Sequence, residues 1–244
     1  MSLKQSLLRA IKRQPALYAF LRYDIYARLQ ALRRRKVFLA IYRNNYWDGT
    51  YSVSGPGSTA EATQRVRAAL PDLLAKLEAR SLLDIPCGDF QWMKDVSLGP
   101  LRYIGADIVR PLIEENRKRY GARGEFLQLD LLRDPLPRVD VVFCRDCLIH
   151  LSFREINAAL RNIGQAAPKY FVTTTFPHRA KNADTVSPYW RALNFQAEPF
   201  GFPAPLLLIE DCAGPHDGQR DKYLGAWRGE DIAERLAASL SRRL

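Results

Sequence analysis

Asp84, Asp107 and Asp130 each lie in or end a short apolar run, and the first run leads into the turn Pro86-Cys87-Gly88. Carboxylates so placed accept hydrogen bonds from the two hydroxyls of a sugar, and a glycine turn lets backbone approach a ligand closely. Asp107 follows the turn by about 20 residues, the spacing at which a carboxylate meets a ribose. A second group, Asp146, His150 and His178, consists of types that take a proton from an acceptor or orient it. The chemistry these residues offer is nucleoside binding beside a proton-accepting site.

The elements that must position them follow from the apolar pattern. Strands are expected at 82–86, 102–107, 125–130, 139–145 and 169–176, with helices at about 90–97, 111–120 and 152–166 between them, the first capped by Asp89. Such alternation predicts a Rossmann-like, doubly wound α/β sheet that is mostly parallel. Leu206–Ile209 and Tyr223–Trp227 read as a closing antiparallel pair, and a helix over 230–241 ends the chain. Upstream, a Gly-Pro loop at 54–58 precedes a helix over about 60–80, capped by Ser58 or Thr59 and carrying Pro71 as a kink. That loop reads either as a lid over a ligand or as a linker. If the chain turns helical directly after the fourth strand, Asp146 and His150 share a face, four residues apart.

Charge divides the chain in two. Residues 1–43 carry eleven Lys/Arg against Asp24 alone, and the remaining 26 basic and 25 acidic side chains nearly cancel within the total of +11. We therefore expect a basic helical extension at 1–45 and a catalytic domain at 46–244. The extension packs as a helical cap with a solvated basic face, or rests as an amphipathic arm on an anionic membrane through residues 1–40. Nucleic acid is disfavoured as a partner because the domain behind the arm is neutral, and the oligomeric state is left open. No apolar run approaches the roughly 18 residues of a spanning helix. The scattered cysteines do not form a disulfide framework, and a reducing cytoplasm is the simpler setting, with peripheral contact at the inner membrane surface as an option.

A nicotinamide cofactor calls for a G-x-G-x-x-G turn, yet this turn offers only Gly88 and then sets Asp89 and Phe90 where small residues are wanted. An acid there repels a diphosphate, so a nucleoside without phosphates fits better. Cys144-x-x-Cys147 with His150 lacks a second ligand pair for zinc, and no metal is expected.

The stretch LLDIPCGDF resembles the first motif of class I S-adenosylmethionine-dependent methyltransferases, YIGADIV and FLQLDLL resemble the second and third, and VDVVFCRDCLIHLSF is similar to their fourth strand and the segment after it. The resemblance spans roughly 60–229. It implies S-adenosylmethionine as cofactor, with Asp84, Pro86, Cys87 and Gly88 lining the methionine part, Asp107 and Ile108 at the ribose, Asp130 and Leu131 at the adenine edge, and Cys144 and Arg145 near the sulfonium. Phe90 departs from the family's glycine and either narrows the pocket or stacks beside it.

The acceptor is less defined. His150, Asp146 and His178 are the candidate catalytic residues, and the aromatic insert at about 177–205 reads either as an acceptor pocket or as a hydrophobic cover over the sheet edge. Thr174, Thr175 and Asn182 are expected to face the acceptor. O-methylation of a sugar, glycan, glycolipid or secondary metabolite is the favoured reading. N-methylation of a small amine, an RNA-directed enzyme, and a nucleoside-binding protein without turnover are the alternatives.

Overall fold

The computed structural model describes residues 33–47, 51–211 and 221–241. Seven strands form one sheet: β1 (Ser81–Asp84), β2 (Arg102–Asp107), β3 (Glu125–Gln128), β4 (Val141–Cys144), β5 (Tyr170–Thr175), β6 (Leu207–Glu210) and β7 (Tyr223–Arg228). Their order is β3-β2-β1-β4-β5-β7-β6. The first five strands are parallel, and β7 runs antiparallel to both β5 and β6. Central β4 is buried along its whole length, as a strand covered on both faces must be. The expected sheet is thus present, with its closing antiparallel pair.

The helices are α1 (33–43), α2 (Gln64–Lys76), α3 (Arg110–Tyr120), α4 (Phe153–Ala166) and α5 (Gly229–Ser241). One face of the sheet packs Val66, Leu70 and Leu73 of α2 with Ile113 of α3. The opposite face packs Ile156, Leu160 and Ile163 of α4 with Ile232 of α5 and Trp227 of β7. α4 starts cleanly because Ser152 and Glu155 form a capping box, satisfying amides on both sides. α2 begins later than its apolar spacing implies, since residues 59–63 form turns in which the Thr59 hydroxyl accepts from the Ala62 amide. Pro71 sits inside this helix.

The helix expected at 90–97 is absent. In its place stands a single 3-10 turn, Met93–Asp95. Two local facts explain this. Phe90 adopts φ +57°, a left-handed conformation that cannot start an α-helix. Asp89, instead of capping, bends back to accept from the Gln91 amide while also taking the Ser52 hydroxyl and the Val53 amide. Phe90 itself neither narrows a pocket nor lines one. It is buried behind the turn against Tyr103, Tyr120 and Phe126.

Candidate functional site

A cavity opens at the carboxyl ends of β1 to β4, where the loops of an open α/β sheet leave a crevice. It encloses about 1130 Å³, its open mouth included. Its floor is Asp84–Gly88, Asp107–Val109, Leu129–Leu132 and Arg145–Cys147, and its cover is Phe38, Ile41 and Tyr42 of α1 with Trp47 and the 53–58 loop. The loop is pinned to the central turn: Gly88 has φ +57°, and a β-carbon there would lie 2.3 Å from the Ser54 hydroxyl. Only glycine provides both that conformation and that space.

The cofactor-motif residues fall mostly together. Asp84, Pro86, Cys87, Gly88, Asp107, Ile108, Asp130, Leu131 and Arg145 all line the cavity. Asp84 is buried and accepts the Tyr103 hydroxyl at 2.7 Å. Burial raises its carboxyl to about 7, against the lowering effect of that hydrogen bond, with the negative field of Asp107 adding to the rise. Asp107 takes the Val109 amide at 2.9 Å and the Gly88 amide at 3.3 Å. Burial outweighs these amides and lifts it to about 6. The Asn116 side chain holds the Gly88 carbonyl at 2.8 Å, tying α3 to the turn.

One expectation changes at the fourth strand. Cys144 does not face the cavity; it is a fully buried strand residue, and Cys147 lines the space instead. Strand alternation turns Cys144 inward to the core, as it does every second side chain. Arg145 does line the cavity, but its guanidinium is bidentate on Asp211 at 2.8 and 3.0 Å and lies 5.4 Å over the Trp92 ring.

Asp146 and His150 both line the cavity, though not as neighbours on one helix face. Asp146 has φ +52° and His150 ends the 3-10 turn Leu148–His150, so the α-helix starts only after both. The Asp146 carboxylate is locked: Lys222 Nζ lies at 2.6 Å, Arg145 at 3.3 Å, and the Thr174 hydroxyl donates to it at 3.1 Å. Although burial opposes ionisation, Lys222 and Arg145 together hold this carboxyl well below the usual range. It is an anion with no appetite for a proton. His150 is the reverse case. Its Nδ1 meets the Pro188 carbonyl at 3.0 Å, which makes Nδ1 the protonated nitrogen and leaves Nε2 as the basic one. Burial lowers its pKa, so the imidazole is neutral near pH 7, and the ring packs 5.5 Å from Trp47.

His178 is not brought to the site. It is exposed, edge-on to Tyr223 at 6.2 Å, and absent from the cavity wall. No residue of the 177–205 insert lines the cavity either. Phe195, Phe200 and Phe202 are buried around Trp227, covering the face of the antiparallel end of the sheet. Thr174 and Thr175 are buried in β5, where Thr174 serves Asp146, and the Asn182 side chain holds the Asn194 and Glu198 carbonyls within the insert. The need to bury Trp227 claims the aromatics that composition offered to an acceptor.

Sequence reasoning missed Phe38, Tyr42 and Trp47 as cavity residues, and Asp211 and Lys222 as the buried partners of Arg145 and Asp146. Aromatic content before the first strand was the available signal for the former; no local signal marks the latter. The basic cluster is also partly spent within the fold. Arg34 reaches Asp130 at 2.8 Å and Arg35 reaches Asp134 at 3.1 Å. The rest of the expected membrane arm, residues 1–32, lies outside the described residues. Among the described residues no group of acids, histidines and cysteines has the arrangement of a metal site, and no helix is long and apolar enough to cross a membrane.

Residues 82–167 match the model of the methyltransferase-domain family. The chain is similar to the Burkholderia thailandensis 1,6-didemethyltoxoflavin N1-methyltransferase, solved with its acceptor and S-adenosylhomocysteine: TM-score 0.57, 18% identity, 83% of this chain and 89% of that one. It is similar to the PH0226 protein of Pyrococcus horikoshii OT3 at TM-score 0.52 and 16% identity, over 73% of this chain and 94% of that one. Mitomycin 7-O-methyltransferase aligns at TM-score 0.53 and 20% identity, over 72% of this chain and 55% of that one. No curated protein matches the sequence. The strand order, the antiparallel β7 and these likenesses define the Rossmann-like fold of class I S-adenosylmethionine-dependent methyltransferases. Within that fold, the match to the methyltransferase-domain model runs from β1 to the end of α4.

Proposed function

We propose that this chain is a methyltransferase that uses S-adenosylmethionine to methylate a hydroxyl of a small acceptor, such as a sugar, glycolipid or secondary metabolite. The observation that carries the proposal is His150: a neutral imidazole with Nδ1 committed to a backbone carbonyl, Nε2 left basic, on the wall of the cavity that holds the acid-bearing strand ends. Asp146, ion-paired to Lys222 and Arg145, then has an electrostatic and anchoring role. His178 is not part of this proposal.

The donor set fits the cofactor. Asp107 retains free lone pairs for two ribose hydroxyls, Ile108, Leu129, Leu131 and Leu132 give apolar walls for adenine beside Asp130, and Asp84 offers a carboxylate to an ammonium. When bound, S-adenosylmethionine supplies an electrophilic methyl on a sulfonium, which an aligned nucleophile displaces in line. The chain's part is to align the acceptor against Trp47 and Phe38, exclude water with α1 and the 53–58 loop, and accept the hydroxyl proton at His150 Nε2.

In this reading residues 46–244 are the methyltransferase domain and 1–45 an extension whose α1 closes the cavity. The free thiols of Cys87, Cys144 and Cys147 favour a cytoplasmic setting. The similarity to an N1-methyltransferase keeps a nitrogen acceptor in view, and the assay separates the two. Calorimetric titration with S-adenosylmethionine and S-adenosylhomocysteine comes first, on wild type and Asp107→Ala. A panel of phenols, sugars and amines with methyl-labelled cofactor is the second step. Binding weakened by Asp107→Ala, with transfer to a hydroxyl abolished in His150→Gln, is the expected result. Absence of binding would overturn the cofactor reading, and transfer only to amines would overturn the choice of acceptor atom.

A further inference from the structure

The insert that fails to line the cavity grips, instead, the turn that carries His150. A single 3-10 turn between β4 and α4 has little hydrogen bonding of its own with which to hold a ring in place. Two of its carbonyls, and that of Leu151 just after it, accept from one residue. Arg191 donates from Nη1 to Leu148 O at 2.9 Å and from Nη2 to Leu151 O, and its backbone amide donates to Ile149 O at 3.1 Å. Its Nε reaches back to Ala183 O at 3.3 Å, and the guanidinium lies 5.6 Å over the Phe153 ring. From the same loop, the Pro188 carbonyl takes His150 Nδ1 at 3.0 Å, and the Ser187 hydroxyl accepts the Ser152 amide at 3.1 Å.

We propose that Arg191 is a positioning residue for methyl transfer: by holding the carbonyls of 148, 149 and 151 it keeps the His150 ring against Pro188 and Nε2 turned to the cavity. Arg191 does not line the cavity, so it acts through His150. The inference rests on the reading of His150 as the base. Only a planar fork spans Leu148 O and Leu151 O at once, and lysine, a point donor, holds one at a time. The charged groups around the imidazole are Asp146, Lys222 and Arg191 itself.

The test is the tautomer. Long-range proton–nitrogen spectra of the full-length, labelled chain resolve its three histidines, with His150→Gln assigning the signal. Wild type should show His150 with the proton on Nδ1. Arg191→Met should lose this lock and give a mixture of tautomers, with unchanged affinity for S-adenosylhomocysteine. Arg191→Lys keeps the charge and should lose it too, which separates positioning from electrostatics. Retention of the Nδ1 tautomer in either folded variant would overturn the proposal, as would its absence in wild type. If Arg191→Met does not fold, the lysine variant decides. Undiminished methyl transfer by His150→Gln would sink the base reading separately, whatever the tautomer.

Discussion

Asp84→Asn should make the protein more stable and worse at binding its cofactor. Asp84 is buried in β1 with a hydrogen bond from Tyr103 and no cation in direct contact, and its carboxyl sits at about 7 against 3.8 for the free group. A carboxyl raised on folding binds its proton more tightly in the native state, so native stability falls as pH climbs from 3.8 and levels off only above about 7. At about 1.4 kcal/mol per pH unit, the ionised group costs the fold on the order of 4 kcal/mol at pH 8. Asparagine keeps the shape and an acceptor for the Tyr103 hydroxyl but cannot ionise. The value of about 7 already includes the effect of the Tyr103 hydrogen bond, so the substitution should gain on the order of 4 kcal/mol at pH 8 and almost nothing at pH 4. Urea denaturation of both proteins across pH 4–8.5 checks this. Curves for wild type and variant that run parallel at all pH would refute the reasoning, because the titration would then not be that of Asp84. If the carboxylate faces the cofactor's ammonium, the same substitution weakens S-adenosylhomocysteine binding most at high pH, where the wild-type group is ionised.

The other predictions concern the remaining charges and the cavity cover. Because Asp84 and Asp107 are protonated below about 7 and about 6 in the free protein, affinity for S-adenosylhomocysteine should level off only above about 7 and fall as pH drops through both values. Asp107→Asn should remove the lower of the two steps, near pH 6, and cost about 2–3 kcal/mol, roughly 30- to 150-fold, by titration calorimetry. Lys222→Met strips a partner from the buried Asp146 and should destabilise the chain by about 3–5 kcal/mol. Since Asp146 is held low by Lys222 and Arg145, its stabilisation is present above the unfolded carboxyl pKa and lost as pH falls, so the wild-type advantage should shrink in acid. Trp47→Ala opens the site around His150, whose lowered pKa should rise towards 6.5 in an NMR titration; no movement would separate Trp47 from the burial of the ring.

Much of the sheet was legible because a covered strand is a nearly continuous apolar run, and β2 and β4 are such runs. The acids at the ends of β1 and β2 were legible for the same reason: a charge that ends an apolar strand must face the crevice. What failed was non-local. Asp89 looks like a helix cap until its partners Ser52 and Val53 are known, and those lie in a loop that local pattern cannot dock. The aromatics of the insert carry no mark telling pocket from core; Trp227 decides, from a strand beyond them. Arg33–Lys36 reads as a solvated basic face, yet the carboxylates that take Arg34 and Arg35 come from the end of β3 and the turn after it.

The cavity contains carboxyls of one chemical type in opposite states, and the difference lies in which cations the fold delivers to them. Asp84 and Asp107 have hydroxyl and amide partners but no ammonium or guanidinium in contact, so burial dominates and both stand near the point of ionising. A cationic or hydroxyl-bearing ligand at that end completes their solvation and draws them into the charged form, which couples binding to proton release. Asp146 meets Lys222 and Arg145, whose charges are balanced in turn by Asp211, so it is ionised before any ligand arrives. In the proposed reaction, a fixed anion beside a neutral imidazole would favour the imidazolium formed when His150 takes a proton, without competing for that proton. The end of the cavity that holds Asp84 and Asp107 is therefore tuned by desolvation, and the end that holds Asp146 by ion pairs that the chain around β6 and β7 brings in from the far edge of the sheet.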